Sequence, residues 1–259
     1  MKVAVRLPLN FDPDGLRADL DQIDSGEWVT HFNAGYFEGA WTGVALRATS
    51  GDTRGLYADP SASDYADTSV MRRCPHLAAA TRMLRCPLKS VRLLKLSASS
   101  HIREHRDHDL GWDAGEVRLH VPIITHPEVD FFLNGQRVVM REGECWYLDL
   151  GLPHRVQNRG TIDRIHLVID CQLNDWLRAV IDAGEEMVPA PAAESEFERF
   201  RQLVLGDLSL QRELMKVTDR KEFTALILQL GERQGAHFTA GDVDAAFQAA
   251  RRAWTKRAT

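Results

Sequence analysis

The chain has 259 residues, a formal net charge of −5, and contents of 44% hydrophobic and 27% charged residues. These values are ordinary for a globular protein with one large core, or with a main domain and a smaller second one. The acidic balance argues against a general nucleic-acid binder, which usually carries surplus positive charge. We expect neither a signal peptide nor a transmembrane helix, because no apolar run approaches about 18 residues.

Four cysteines are scattered along the chain without a CxxC pair: Cys74, Cys86, Cys145 and Cys171. Such spacing is not typical of a disulfide framework or of a zinc site. We therefore expect reduced thiols and a cytoplasmic location.

The N-terminal part of the chain mixes helical and strand-like segments. Residues 12–24 space their apolar side chains as on one face of a short helix. Residues 27–48 are rich in aromatics and glycines, which favours strands separated by turns. The polar segment 50–69 has the composition of a long loop, either a mobile active-site cover or a passive surface loop. Residues 74–85 have helical spacing again.

Strand-like runs then dominate from Val91 to Asp170. Eight short runs, broken by turn residues, occupy this segment without a helical run between them. Asn134-Gly135 is the strongest of the turn signals, because this dipeptide favours a two-residue hairpin. The pattern predicts a mainly β protein with a barrel or jelly roll.

The segment after Gln172 predicts helices. Residues 175–183 predict one helix, and residues 185–194, with two prolines among small residues, predict a linker. We expect a main domain over 1–184 and a small all-helical unit over 195–259. Residues that commonly cap helices predict three helix starts in this unit, at Ser195, Asp219 and Thr239.

The order of four side chains along the chain indicates a metal site beside a carboxylate-binding arginine. These residues are His105, Asp107, His154 and Arg164. His105 and Asp107 are two residues apart, so on one strand they point the same way. His154 opens a later strand that antiparallel pairing can bring beside them. Two imidazoles and one carboxylate can occupy one face of a ferrous ion and leave the other face for O2 and an organic ligand. A structural coincidence is the alternative, because HxD alone is a common pattern.

The interval from His154 to Arg164 has room for one strand, a turn and the start of a partner strand. We therefore expect Arg164 inside the barrel, below the metal, where its guanidinium can form two parallel hydrogen bonds to a dicarboxylate. Arg118 and His120 share one side of another strand, opposite a row of apolar side chains. That side faces either the interior or, as the alternative, solvent.

The other histidines and a second acidic pair receive no functional assignment. A lone histidine in a strand is more often a surface or core residue than a ligand, and this chain has ten. We expect His108 and Asp109 to form a loop pair away from the metal. His31, His76, His126 and His237 are among the histidines that receive no functional assignment.

With these residues placed, residues 25–172 resemble the aspartyl/asparaginyl β-hydroxylase family, which includes bacterial proline hydroxylases. The resemblance implies a double-stranded β-helix, cupin-like, with flanking helices, that uses Fe(II), O2 and 2-oxoglutarate. By position it implies that His105, Asp107 and His154 are iron ligands. The motifs that carry the resemblance are GAWTGVALRATSGD (39–52), SHIREHRD (100–107), VRLHVPI (117–123), GECWYLDLGLPHRVQN (143–158) and DRIHLVID (163–170).

The same resemblance implies roles for three further residues. Arg164 is similar to the anchor of the distal carboxylate of 2-oxoglutarate. Arg118 and His120 are similar to an RxH pair that helps to hold the cosubstrate, which favours their inward direction. The presence of Asp107 disfavours halogenation, since a halide would need its coordination position.

The implied reaction is hydroxylation of an unactivated C–H bond of an amino acid, free or within a peptide, with release of succinate and CO2. Arg103, Trp41 and the 50–69 loop are candidates for substrate contact. One alternative is a cupin-type oxygenase that does not need 2-oxoglutarate. Another is a non-catalytic sensor or adaptor whose barrel binds a small acid.

The helical C-terminal segment, residues 195–250, is similar to nitrogen-fixation-associated and nitrile-hydratase-leader peptides. That likeness implies a peptide or protein partner, or self-association, and no contact with nucleic acid or membrane. A structural appendage is the alternative.

Overall fold

Two antiparallel β-sheets form the body of the first of two compact units, residues 1–188 and 189–259. The computed structural model describes residues 2–57, 59, 62–107, 110–187, 196–236, 238–243 and 246–247. Among these residues, no helix is long and apolar enough to cross a membrane.

The strands of the described residues, in chain order, are β1 (Ala4–Asn10), β2 (Val29–Thr30), β3 (Phe37–Glu38), β4 (Trp41–Thr49), β5 (Tyr65–Asp67), β6 (Leu88–Leu96), β7 (Ser100–His105), β8 (Glu116–Ile124), β9 (Val129–Leu133), β10 (Gln136–Val138), β11 (Glu144–Leu148), β12 (His154–Asn158), β13 (Arg164–Gln172) and β14 (Glu185–Glu186). The larger sheet has the order β14-β1-β11-β8-β13-β6-β4-β2, with β5 on β4. The smaller sheet has the order β10-β9-β12-β7-β3.

The α-helices are α1 (Pro13–Leu20), α2 (Ser69–Arg73), α3 (Pro75–Arg82), α4 (Asp175–Ala183), α5 (Glu196–Gly206), α6 (Leu208–Leu214) and α7 (Arg220–Arg233). Helix α1 follows the N-cap Asp12, whose side chain accepts a hydrogen bond from the backbone of Asp14 at 3.1 Å. That cap satisfies one of the unpaired N–H groups at the start of the helix.

The two faces of the larger sheet bury different sets of side chains. On β8, Val117 and Leu119 belong to a core that also contains Leu16 of α1 and Leu177 of α4, so this face packs against the helices. Residues of the other face belong to a second core, which they share with the smaller sheet: Trp41, Leu94, Trp146 and Val168 with Ile102, Phe131, Leu133 and Val156. The interior of the barrel therefore lies between the two sheets.

This architecture confirms the predicted fold class, a double-stranded β-helix with flanking helices. The eight strand-like runs predicted between Val91 and Asp170 correspond to β6–β13. At the predicted hairpin, Asn134 and Gly135 both have positive φ, 51° and 78°, as a type I′ turn requires. The predicted loop 50–69 contains the short strand β5 and the start of α2, so it is less irregular than expected.

The predicted linker differs from the structure at its first residues. Glu185 and Glu186 form β14, which pairs with Arg6 and Val5 of β1 and so extends the larger sheet. Their exposed carboxylates fit an edge strand, and Glu185 forms an ion pair with Arg6. Residues 188–195, including the predicted cap Ser195, lie outside the described residues.

The C-terminal unit has its own apolar core, formed by Phe200, Leu210, Leu214, Ile227, Leu230 and Val243. Asp219 accepts hydrogen bonds from the backbone of Lys221 and Glu222 at 2.9 and 3.0 Å, so it caps α7 as predicted. Thr239 accepts a bond from the Asp242 backbone at 3.3 Å. Helix α6, which begins after Asp207, was not predicted.

Candidate metal centre and adjoining cavity

Two histidines and one aspartate meet at one end of the barrel. His105 ends β7 and His154 begins β12, and the two residues pair directly across the antiparallel ladder. Asp107 lies two residues beyond β7, where its backbone N–H donates to the carbonyl of Leu150 at 2.9 Å. One ligand atom from each of the three side chains lies within 4.8 Å of the others. This donor set suits a ferrous ion with open coordination positions.

A β-bulge in β7 turns His105 toward this centre. Val156 pairs with Ile102 but His154 pairs with His105, so β7 contains one more residue than β12 over this stretch. Ile102 and His105 both border the interior, whereas the side chain of Arg103 is 55% exposed and bonds Glu38 at 2.6 Å. On a regular strand Arg103 would face the same side as His105, but the bulge separates the two, and Arg103, a predicted candidate for substrate contact, does not line the cavity.

Backbone carbonyls orient both imidazoles. Nδ1 of His105 lies 2.8 Å from the carbonyl oxygen of Arg103, and Nδ1 of His154 lies 3.1 Å from that of Leu152. Because a carbonyl oxygen only accepts, each Nδ1 carries the proton and each Nε2 presents its lone pair. Burial, with the nearby His105, lowers the pKa of His154 to about 4, so its imidazole is neutral at pH 7.

A chain of four charged side chains extends from the metal centre into the barrel. Nη1 of Arg118 donates to Asp107 at 2.5 Å, while its Nε and Nη2 donate to Asp170 at 2.6 and 3.1 Å. Arg92 donates to the same Asp170 carboxylate at 2.5 Å. Burial acts to raise the pKa of Asp170, but Arg118 and Arg92 outweigh it and hold that pKa below its ordinary value. Arg118 thereby holds Oδ2 of Asp107, while Oδ1 of Asp107 lies 3.9 Å from Nε2 of His105.

A cavity of about 320 Å³ adjoins the three predicted ligands. His31 and Trp41 form part of its wall and stack with ring centroids 3.5 Å apart. Phe32 and Tyr57, both about half exposed, lie at the entrance of the cavity. Their rings pack edge to face with centroids 5.6 Å apart. The cavity is therefore open to solvent and has aromatic side chains at its entrance.

Arg164 supplies a buried positive charge to this cavity. Arg164 is 2% exposed, and no carboxylate of the described residues pairs with it. One terminal nitrogen donates to Nδ1 of His166 at 2.7 Å, while Nε has no partner in the described part of the chain. Burial lowers the pKa of Arg164 to about 9, so it remains a cation at pH 7. A buried unpaired cation is costly unless an anion joins it.

His120 borders the same cavity. It is 5% exposed, and neither of its ring nitrogens has a hydrogen-bond partner among the described residues. Burial, with Arg164 and Arg118 nearby, lowers the pKa of His120 well below 6.5. Arg118 and His120 thus lie inside the barrel, on the face opposite Val117 and Leu119, and the alternative of a solvated outer face does not apply.

Sequence reasoning missed four residues of this region. His31 received no role, yet it stacks on Trp41 in the cavity wall. Arg92, His166 and Asp170 were also passed over. Strand alternation was the available signal, since His166 and Asp170 share the side of β13 that carries Arg164. His108 and Asp109 lie outside the described residues, as does His237.

A family model described as aspartyl/asparaginyl beta-hydroxylase matches the chain. The match covers residues 13–173, which is more than half of the chain and includes every predicted site residue. It ends before the C-terminal unit, so the likeness of that unit to leader peptides stays a prediction.

A curated relative is the L-proline cis-4-hydroxylase of Rhizobium meliloti (strain 1021). It is 26% identical over 186 residues, which cover 70% of this chain and 64% of that protein. The matched region therefore spans less than two thirds of the relative.

Solved structures show weaker likenesses. HygX from Streptomyces hygroscopicus, with nickel, 2-oxoglutarate and hygromycin B bound, is 16% identical and aligns over 67% of this chain and 84% of its own, with a TM-score of 0.41. The viral collagen prolyl hydroxylase of Paramecium Bursaria Chlorella virus-1 is 8% identical and aligns over 66% and 97%, also with a TM-score of 0.41.

Proposed function

The chain belongs to the aspartyl/asparaginyl β-hydroxylase family, and we propose that it is an Fe(II)/2-oxoglutarate-dependent dioxygenase. The proposed reaction hydroxylates an unactivated C–H bond of an amino acid, free or within a peptide. One O2 and one 2-oxoglutarate are consumed for each hydroxyl group formed, and succinate and CO2 are released. The curated relative, named as a proline hydroxylase, supports a small amino acid as substrate.

The observation that carries this proposal is the pairing of a metal-type triad with an unpaired buried cation in one cavity. His105, Asp107 and His154 offer three ligand atoms within 4.8 Å of one another. Arg164 borders the same space and has no acidic partner among the described residues. A dicarboxylate that chelates the metal with one end and meets the guanidinium with the other would satisfy both requirements.

We assign the iron to His105, Asp107 and His154, whose donor types fit Fe(II). Bound iron would supply the activation of O2 and the decarboxylation of 2-oxoglutarate. The chain's own part is to hold the ligands and the substrate. Both imidazoles are fixed by backbone carbonyls, so each presents Nε2 without a proton.

Arg164 and His120 are proposed to bind the distal part of 2-oxoglutarate. Arg118 borders the same cavity, but its three contacts go to Asp107 and Asp170, which supports a role in orienting the metal carboxylate. Trp41 stays a candidate for substrate contact because its ring lines the cavity and its indole N–H has no partner among the described residues.

Succinate formation tests the proposal. Purified protein with Fe(II), ascorbate and 2-oxoglutarate is incubated with a panel of free amino acids and short peptides, and succinate is quantified. At least one substrate should raise succinate well above the rate without substrate. No stimulation across the panel would count against hydroxylation of amino acids.

We also propose that the C-terminal unit binds a peptide or protein partner, or self-associates. Leu205, Leu208 and Met215 support this, because their side chains are 61%, 66% and 76% exposed. Size-exclusion chromatography with light scattering of the wild type and of Leu208→Glu protein tests the self-association. A cytoplasmic location is proposed from the four free cysteines.

A further inference from the structure

Among the described residues, the side chain of His166 makes one hydrogen bond, and its partner is Arg164, the cation of the cavity. It follows Arg164 by two residues on β13, so the two side chains share one side of the strand. Nη2 of Arg164 lies 2.7 Å from Nδ1 of His166, and the two residues are 2% and 1% exposed. A guanidinium has only donors, so Nδ1 must accept and the ring hydrogen must lie on Nε2.

The imidazole that holds Arg164 carries no charge. Burial, and next the charge of Arg164, lower the pKa of His166 well below 6.5, and a second positive charge there is disfavoured. His120, whose ring centroid is 5.7 Å away, is neutral for the same reasons. The guanidinium is therefore oriented by one neutral group, His166, and its positive charge is not cancelled within the described residues.

Arg118 shows the contrasting arrangement in the same barrel. Two carboxylates, Asp107 and Asp170, bind its guanidinium and neutralise it. A carboxylate at position 166 would do the same to Arg164 and would compete with any incoming anion. A neutral acceptor fixes the direction of the guanidinium and leaves its charge for a ligand.

We propose that His166 is a positioning residue that makes Arg164 selective for a dicarboxylate cosubstrate, by holding the guanidinium without neutralising it. This inference rests on the proposed function, because it takes 2-oxoglutarate as the ligand of Arg164. His166 does not line the cavity, so it acts through Arg164.

The test compares two isosteric variants, His166→Asn and His166→Asp. Both side chains offer an acceptor oxygen to Arg164, but only aspartate carries a negative charge. Each protein is loaded with Ni(II), which does not support turnover, and titrated calorimetrically with 2-oxoglutarate and with 2-oxopentanoate. The second compound has the same chain length but a methyl group in place of the distal carboxylate.

We expect the Asn variant to bind 2-oxoglutarate within a few-fold of the wild type, and the Asp variant to bind it roughly 100-fold more weakly. Both should bind 2-oxopentanoate with the wild-type affinity. Equal 2-oxoglutarate affinities of the Asn and Asp variants would overturn the inference. So would a parallel loss for both compounds, which indicates general damage to the cavity.

A third variant covers the case in which aspartate prevents folding. His166→Leu removes the acceptor, and its 2-oxoglutarate affinity should fall about 10-fold or more below that of the Asn variant. Equal affinities would again overturn the inference. The matched control is His126→Leu, because this histidine lies outside the cavity, and its affinities should equal those of the wild type.

The ligand preference of the wild-type protein distinguishes a failure of this inference from a failure of the proposed function. If it binds 2-oxoglutarate no better than 2-oxopentanoate, Arg164 is not an anchor, and the proposed function fails together with the inference. If it prefers 2-oxoglutarate but the His166 variants behave alike, only the inference fails.

Discussion

Asp170 and Arg118 form a two-point ion pair inside the barrel, with Nε–Oδ1 and Nη2–Oδ2 distances of 2.6 and 3.1 Å. The Asp170 side chain is fully buried, and it also binds Arg92. The remaining terminal nitrogen of Arg118 reaches Asp107 at 2.5 Å. The direction in which Asp107 presents its carboxylate thus depends on a residue of another strand.

Asp170→Asn should therefore weaken both the fold and the metal site. The substitution leaves Arg92 and Arg118 without their shared anion, and breaking a buried pair costs about 3–5 kcal/mol of unfolding free energy. Loss of the group that orients a metal ligand lowers metal affinity by roughly 10- to 100-fold. Urea unfolding and an anaerobic Fe(II) titration measure the two effects.

The control for that variant is Asp67→Asn. Asp67 pairs with Arg47 at 2.8 Å, but its side chain is 51% exposed, so its loss should cost less than about 1 kcal/mol. If Asp67→Asn and Asp170→Asn lower the free energy of unfolding by similar amounts, the buried ion pairs of Asp170 do not stabilise the fold as proposed.

Removal of one imidazole should abolish turnover. We expect His105→Ala and His154→Ala proteins to fold, as judged by circular dichroism, but to lose Fe(II) affinity and succinate formation, because two ligands leave the ion exchangeable. His126→Ala serves as the control, since His126 lies away from the three ligands. Retained turnover in either ligand variant would disprove the metal assignment.

Arg164→Lys should separate charge from geometry. Lysine keeps a positive charge in the barrel, but its ammonium group cannot form the two parallel hydrogen bonds that a guanidinium forms with a carboxylate. We expect KM for 2-oxoglutarate to rise by roughly 10- to 100-fold, with a smaller change in kcat. Steady-state kinetics at saturating substrate measure both parameters. An unchanged KM, with oxidation of substrate still dependent on iron, would favour an oxygenase that does not use 2-oxoglutarate.

The protein should become less stable as the pH falls, because His31 is buried in its neutral form. Burial, and next the charges of Arg92 and Arg118, lower the pKa of His31 to about 3. The unfolded chain takes up this proton from about pH 6.5 downward, but the folded chain does not until about pH 3. The free energy of unfolding should therefore decrease across this window as pH falls, by about 1.4 kcal/mol per pH unit for this group alone.

The check is urea unfolding at pH 7.0, 6.0, 5.0 and 4.5 with a chelator present, followed by tryptophan fluorescence. Buried His120, His154 and His166 add to the same trend, because burial lowers the pKa of each. In the His31→Phe protein, the slope of the free energy of unfolding against pH should be smaller by the contribution of about one proton, about 1.4 kcal/mol per pH unit. An identical pH dependence of the variant and the wild type would contradict the buried neutral state of His31.

Much of the fold followed from strand alternation and turn chemistry. Alternation correctly placed Arg118 and His120 together on the side of β8 opposite the apolar row, because a side chain's face depends only on its place along a regular strand. Their inward direction was favoured only by the family resemblance. The same rule failed for Arg103, since a bulge adds one residue to β7 and reverses the faces beyond it. Nothing local in SHIREH marks that bulge.

The site could be predicted only in part for a related reason. His105, Asp107 and His154 were found from their spacing, whereas His31 was not, because its stacking on Trp41 is a tertiary contact between separate segments. Alternation places Asp170 on the side of β13 that carries Arg164, but it does not reveal the role of Asp170. Its importance comes from two arginines on neighbouring strands, which no pattern within the single strand reveals.

The most direct test of the central claim is the ratio of succinate to hydroxylated product under saturating O2, measured by mass spectrometry on the best substrate of the panel. An Fe(II)/2-oxoglutarate-dependent hydroxylase should give one succinate for each hydroxylated product, and His154→Ala protein should give neither. Product formed without succinate, or 2-oxoglutarate bound stoichiometrically with no product for any substrate, would contradict the proposed function.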